Sequence, residues 1–269
     1  MEILAERMKE LRLENKLKQT EVADFLDVAI STYCNYEYGQ REPSATAIAK
    51  LAQLYHVSTD YLLGLNEPTP EEKVKIILAS NSPRRKELLE QIGITDFKVS
   101  APNVDESVES GLSPAEIVEE LSLRKARAAA KKAGPSDLII AADTVVALDG
   151  AVLGKPRSEA DAFAMLSSLS GREHHVYTGV TVLQGDKAVT EHEETAVTFR
   201  ELPPEEIRGY IATGEPMDKA GAYGIQGVGA LLVSGIRGDY CNVVGLPVYR
   251  LGRILAQFGV DLLRSVEPS

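Results

Sequence analysis

Residues 74–93 read VKIILASNSPRRKELLEQIG, and the architecture of everything after them can be reasoned outward from this stretch. Val74 to Ala79 is apolar without alternation, as a strand covered on both faces requires. It passes through Ser80, Asn81 and Ser82 to Pro83, which suits the first position of a helix, with Ser82 placed to cap it. A strand that hands over to a helix through small residues aims the helix's unpaired N–H groups beyond the strand end, where the helix dipole adds partial positive charge. Such a turn is an anion site. Arg84, Arg85 and Lys86 follow in the first turn, where cations oppose the dipole, so a bound anion would relieve them. Alone, the three would equally make a solvated basic face.

Downstream, strand and helix signals alternate to about residue 265, so this region is α/β. Phe97 to Ser100 reads as a short strand leading to the loop Pro102 to Glu106. Ser113 and Glu116 form a capping box for a long helix reaching Gly134, with Arg124, Lys125 and Arg127 on its face. Leu138 to Ala142 is a buried strand expected to end on Asp143 and Thr144, and open α/β sheets place ligand groups at such strand ends. A hairpin then turns at Asp149-Gly150 and ends in Gly154-Lys155-Pro156. A helix to Leu169, two strands around Gly185-Asp186, a helix from Pro204 to Thr213, a Gly-rich run over 215–229, a strand over 230–236 and a helix from about Pro247 to Phe258 complete the order.

Upstream, residues 1–65 read as short helices. Ile3, Leu4, Met8, Leu11 and Leu13 give the first apolar stripe, Gln19 to Leu26 and Ile30 to Tyr36 form a helical pair, and Ile48, Leu51, Leu54 and Tyr55 give the stripe of a fourth helix. The run from KQTEVADFLDVAISTYCNYEYGQREPS to HVSTDYLLG resembles the helix-turn-helix domain of the Cro and lambda-repressor type. In that motif the third helix lies in the major groove. The resemblance implies duplex DNA as a partner, with Ser31, Thr32, Tyr33 and Asn35 near the bases and Gln19 near a phosphate. Helix three carries no Arg or Lys, however, while phosphate neutralisation supplies much of DNA affinity, so a module for dimerisation or protein contact is the competing expectation. Asn66 to Glu72 (NEPTPEE) reads as a linker, which gives domains at 1–65 and 73–265.

The 269 residues carry a net charge of −11, which excludes any global attraction to nucleic acid or an anionic membrane, so anions must be recruited by local charge. Cys34 and Cys241 show neither metal spacing nor a disulfide framework, the amino terminus is unlike a signal peptide, and no apolar run approaches membrane-spanning length. A cytoplasmic protein is expected.

Singly, Asp143 could be a core-edge acid, Lys155 a surface lysine and Gln226 a loop residue. Together the basic Arg84, Arg85, Lys125 and Lys155, the acidic Glu106 and Asp143, and the glycines around Gln226 suit phosphate binding beside paired carboxylates that hold a divalent metal and activate water. LASNSPRRKELL, VDE, AADTVV, LGKP, LSGREHHVYTGV, EPMDKAGAYGIQG and GDYCNVVGLP occur in the order found in the Maf family of nucleoside-triphosphate pyrophosphatases, which this region resembles over nearly all of 74–260. The resemblance implies a mixed elongated sheet around a cleft, as in inosine-triphosphate pyrophosphatases. It also implies hydrolysis between the α and β phosphorus atoms with magnesium or manganese, and a homodimer. Arg84, Thr144 and Gln226 match the subgroup acting on dTTP and UTP, extending to modified pyrimidine nucleotides, rather than members acting on 7-methyl-GTP. On this reading Asp143 is the general base or the carboxylate that positions metal-bound water, Glu106 and Asp143 hold the metal, Arg84, Lys125 and Lys155 stabilise the phosphate charge, and Ser80 and Arg85 join them in binding substrate. Asp218, Lys219 and Asp239 lie in matching motifs without an assigned role. The competing function is a nucleotide-responsive transcriptional regulator in which the second domain is the sensor.

Overall fold

A computed structural model describes residues 2–55, 57–65 and 75–263. The chain divides into two compact units, Met1–Lys73 and Val74–Ser269. The expected linker at 66–72 and the expected first strand residue, Val74, lie outside the described residues.

The first unit is helical: α1 (Glu2–Glu14), α2 (Gln19–Leu26), α3 (Ile30–Glu37), α4 (Ala45–Leu54) and α5 (Thr59–Leu62). Ser44 and Ser58 cap α4 and α5 through Ala47 N and Tyr61 N, which fixes where each begins. Asp27 ends α2 in the left-handed conformation, so the chain can turn within three residues into α3. Leu4, Met8 and Leu11 face a core completed by Val22, Leu26, Tyr33, Leu51 and Leu62. Ile3 and Leu13, expected on the same stripe, are about half exposed at 49% and 58%, because the 3.6-residue period turns them off the face that 4, 8 and 11 share.

The second unit comprises β1 (Ile76–Leu78), α6 (Pro83–Gln91), β2 (Phe97–Val99), α7 (Pro114–Ala130), β3 (Leu138–Leu148), β4 (Ala151–Leu153), α8 (Glu159–Leu169), β5 (Glu173–Gln184), β6 (Lys187–Phe199), α9 (Pro204–Ala212), β7 (Val233–Arg237), α10 (Tyr240–Val244) and α11 (Val248–Ala256). One mixed sheet runs β2-β1-β3-β5-β6-β7, with β4 also paired to β3. β1 is parallel to β2 and β3, and the remaining pairs are antiparallel.

β3 does not end at Asp143 as expected; it continues through that residue to Leu148. One edge of β3 pairs with β5 along Ile139–Ala147. Along its other edge β1 covers Leu138–Ile140 and β4 covers Val146–Leu148, so among the described residues no strand pairs with the stretch between, where Asp143 sits. The cleft is this interruption in the sheet. Alternation does the rest: Ile139 and Ala141 pack with Ala126 and Ala129 of α7, so Asp143 shares the α7 face, whereas Ile140 and Ala142 pack with Leu88 and Leu89 of α6, so Thr144 shares that side. α7 lies close enough that a Cβ on Gly179 of β5 would stand 2.2 Å from the Val118 carbonyl oxygen. Val146 and Leu148 join α8 and α9 in a further core. Among the described residues no helix is long and apolar enough to cross a membrane.

Candidate active site

The turn after β1 runs into α6 at Pro83 as expected, with a different division of labour among its residues. Ser82 occupies the N-cap of α6 but makes no side-chain cap bond; instead its N–H donates to Ser80 Oγ at 3.2 Å. Arg85 folds inward. Its Nη1 donates to Ser80 Oγ at 3.2 Å, its Nε to the Gly245 carbonyl at 2.7 Å and its Nη2 to Thr144 Oγ1 at 3.1 Å. Thr178 Oγ1 donates to the Asn242 carbonyl at 3.0 Å and lies 2.9 Å from Thr144 Oγ1, so Thr144 is the donor between the two hydroxyls. The chain of bonds thus runs in one direction, from Arg85 through Thr144 and Thr178 to α10. Burial holds the Arg85 guanidinium below the ordinary arginine value, with Asp143 and Glu106 opposing that shift and Arg84 adding to it. Arg84, one position earlier, lines the same cavity as Arg85.

On the other side of β3, Lys125 reaches from α7 to Asp143 Oδ1 and, at 2.8 Å, to Glu106 Oε1. Asp143 is buried and Glu106 is exposed. The irregular segment carrying Glu106 is pinned from both flanks by Arg124 Nη1, which donates to the carbonyls of Asp105 at 2.6 Å and Ser107 at 2.8 Å. The hydrogen bond from Lys125 holds the Glu106 carboxyl below the usual carboxylate range against the effect of burial, with help from the charges of Lys125, Lys155 and Arg85. Glu106, Lys125 and Asp143 line a cavity of about 830 Å³ that also takes in Lys155, Asp218, Lys219 and Gln226. The structure therefore gathers Ser80, Arg84, Arg85, Glu106, Lys125, Asp143, Thr144, Lys155 and Gln226 around one space. Asp239 lies apart from this lining, as the cap of α10 through Cys241 N at 2.7 Å.

The expected strand over 230–236 begins only at Val233, because Gly227–Leu232 forms a 3-10 turn whose Val228 and Gly229 N–H groups bond to the Glu215 carboxylate rather than to a neighbouring strand. Glu215, Thr178 and Asn242 were not legible as site-supporting residues. Glu215 sits inside EPMDKAGAYGIQG with nothing in its spacing to separate it from Asp218, and Thr178 and Asn242 are uncharged and buried.

In the helical unit Ser31 is exposed, while Thr32 and Asn35 are half-buried. Tyr33, expected near the bases, is instead fully buried in the core, because it falls one turn before Tyr36 and Glu37 on the inward side of α3. Its hydroxyl donates to Glu37 Oε1 at 2.8 Å, and Gln19 Nε2 donates to Glu37 Oε2 at 2.7 Å, so the head of Gln19 is also engaged internally. Arg12 completes the cluster with bonds to both Glu37 oxygens at 2.5 and 3.2 Å.

Residues 75–258 match the family described as "Maf-like protein". The chain belongs to the Maf family. Three curated proteins named dTTP/UTP pyrophosphatase are similar to the Maf region. That of Moorella thermoacetica is 58% identical over 192 residues, covering 70% of this chain and 97% of that one. That of Symbiobacterium thermophilum is 55% identical over 188 residues (70% and 96%), and that of Bacillus cereus is 51% identical over 192 residues (71% and 94%). Ahead of the Maf region, residues 8–62 match the family described as "Helix-turn-helix".

Proposed function

We propose that the Maf unit hydrolyses dTTP and UTP to the nucleoside monophosphate and pyrophosphate. The observation that carries this reading is the juxtaposition, at the interruption in the sheet, of two carboxylates on one ammonium with Arg84, Arg85 and Lys155 around the same cavity. Its substrate follows that of relatives named dTTP/UTP pyrophosphatase and more than 50% identical over the region.

Water attacks the α-phosphorus in line with the departing pyrophosphate, and Asp143 accepts its proton. Lys125 orients Asp143 for this, and Arg124 keeps Glu106 at the same corner. Arg84 and Lys155 bind the phosphates, together with the open N–H groups of α6, and stabilise the charge that grows on the leaving group. Arg85 is fixed by three hydrogen bonds and so presents its charge without reorganisation. Gln226 offers a donor and an acceptor together, which suits a uracil or thymine edge.

The donor set fits a divalent cation shared with the substrate. Among the described residues no group of three or more His, Cys, Asp or Glu side chains forms a cage, but magnesium is ordinarily held by one or two carboxylates together with substrate phosphates, and Glu106 and Asp143 converge on one cation already. Bound there by Glu106 and Asp143, magnesium or manganese would neutralise phosphate charge.

For residues 1–65 we propose duplex DNA as partner, supported by the helix-turn-helix match and by Ser31, Thr32 and Asn35 on the accessible part of α3. A cytoplasmic homodimer belongs to the same reading. The test is pyrophosphate release by the full chain with magnesium or manganese across dTTP, UTP, CTP, 7-methyl-GTP and ITP. Turnover of dTTP and UTP is expected to dominate; nucleotide binding without turnover would favour a sensor that reports nucleotide to DNA.

A further inference from the structure

Among the described residues no strand pairs with the segment that carries Gln226, so something else must fix its position. Two anchors stand on either side of it. Before it, the Gly224 N–H donates to the Tyr210 hydroxyl at 3.1 Å; after it, the N–H groups of Val228 and Gly229 donate to the Glu215 carboxylate, each at 3.1 Å. The anchors are joined, because the Tyr210 hydroxyl itself donates to Glu215 Oε1 at 2.9 Å. Tyr210 is buried in the α9 core, and that burial keeps its phenol protonated, so the hydroxyl always has a proton for Glu215 while accepting from Gly224.

The backbone is shaped around the same carboxylate. Gly227 has φ +73°, and a Cβ there would stand 2.9 Å from Glu215 Oε2, while a Cβ on Gly229 would stand 2.1 Å from the Gly224 carbonyl oxygen. Side chains at either position would push the segment off Glu215. Lys219 adds a bond from its Nζ to the Glu215 carbonyl at 2.6 Å, tying the turn that carries Glu215 to the cavity wall.

We infer that Glu215 and Tyr210 are positioning residues for base selection: together they clamp the segment 224–229 on both flanks of Gln226 and so hold its amide where it meets the nucleobase. This rests on the reading of Gln226 as the residue that recognises the base. Neither Glu215 nor Tyr210 touches the phosphates or the reacting atoms in this assignment. Loss of the clamp therefore weakens discrimination between bases and leaves phosphate chemistry in place.

The test compares kcat and KM for dTTP, UTP, CTP and ITP in the wild-type chain, Tyr210→Phe, Glu215→Gln, Gln226→Ala and the double variant Tyr210→Phe/Gln226→Ala. Tyr210→Phe keeps the ring in the core and removes only the hydroxyl. For Tyr210→Phe and Glu215→Gln, kcat/KM on dTTP and UTP should fall about tenfold, chiefly through KM, as for the loss of one or two hydrogen bonds that order a recognition group. The slower turnover of CTP and ITP should hold, so the preference shrinks by the same factor, and adding Tyr210→Phe to Gln226→Ala should change nothing further. An equal fall on every nucleotide, or a Tyr210→Phe loss that persists in full beside Gln226→Ala, would overturn the clamp. If Gln226→Ala alone leaves the preference untouched, the base-recognition reading itself fails, and the clamp with it.

Discussion

Each unit of this chain contains a carboxylate less than a tenth exposed and paired with a cation: Glu37 with Arg12 in the helical unit, Asp143 with Lys125 in the Maf unit. Their surroundings differ in one respect. Both Glu37 oxygens are taken, one by Arg12 and Tyr33 and the other by Arg12 and Gln19, and every one of these partners comes from the same helical unit. Asp143 shares Lys125 with Glu106 and lines a cavity of about 830 Å³. A buried ion pair therefore does not by itself mark a site; acceptor capacity left over and turned toward open space does.

The contrast is sharpest in what a neutral isostere should do. Asp143→Asn should lower kcat for dTTP about a thousandfold by removing the proton acceptor, with little change in thermal melting, as measured by pyrophosphate release and calorimetry. Glu37→Gln should do the reverse. Leaving Arg12 beside an amide in the core should destabilise the helical unit by about 3 kcal/mol, read from hydrogen exchange of α1–α3 in the full chain, while hydrolysis stays at the wild-type rate. Should Asp143→Asn unfold the Maf unit with no specific loss of turnover, the carboxylate would be structural and the contrast would collapse.

Acid should separate the two units as well. His174 is fully buried, its ring against Phe199 and its Nε2 2.8 Å from the Tyr223 hydroxyl, and burial, with His175 nearby, pushes its pKa down to about 4 from 6.5. The unfolded chain takes up that proton below about 6.5 and the folded Maf unit only below about 4, so its stability declines across that window, by up to about 3 kcal/mol at the acid end. Glu37 behaves differently. Burial pushes its carboxyl up, but hydrogen bonds from Arg12, Gln19 and Tyr33 and the Arg12 charge outweigh this, leaving it below the ordinary 4.5, so the stability it contributes is present above that value and lost only beneath it. Between pH 6 and 5 hydrogen exchange should quicken in β3 and β5 and not in α1–α3, and His174→Gln should flatten that response.

Much of this was legible because it is local. An unbroken apolar run, small residues and Pro83 define β1 and the start of α6, and Ser113 with Glu116 forms the expected capping box of α7. What escaped the sequence depends on neighbours far along the chain. Asp143 looked like a strand end because two polar residues follow five apolar ones, whereas the strand continues and the opening is made by β1 stopping short of β4. Arg84 and Arg85 are indistinguishable in sequence and both line the cavity, but one helical step of 100° brings the second onto Thr144 and Gly245. Tyr33 suits a reading face and a core equally, and only the packing of α1 and α4 decides for the core.

The smallest effect concerns how the helical unit would meet DNA. α3 carries no Lys or Arg, and its outward residues include Ile30 and Ser31, with the exposed Tyr38 just after its end, while exposed cations stand at Lys18 and Arg41. With Arg12 committed to Glu37, few positive charges remain at this face to displace counterions from a duplex. The logarithm of duplex affinity should then fall only shallowly with the logarithm of salt, with a slope of about −2 per helical unit, and Arg41→Ala should reduce its magnitude by about one. Asn35→Ala should leave the slope alone and change preference among sequences, as expected for a group that reads bases rather than phosphates. Titration of labelled duplexes at several salt concentrations separates the two effects. Failure to bind any duplex at low salt would mean that the charge of this unit is spent wholly inside it, and that its accessible α3 face serves a protein contact.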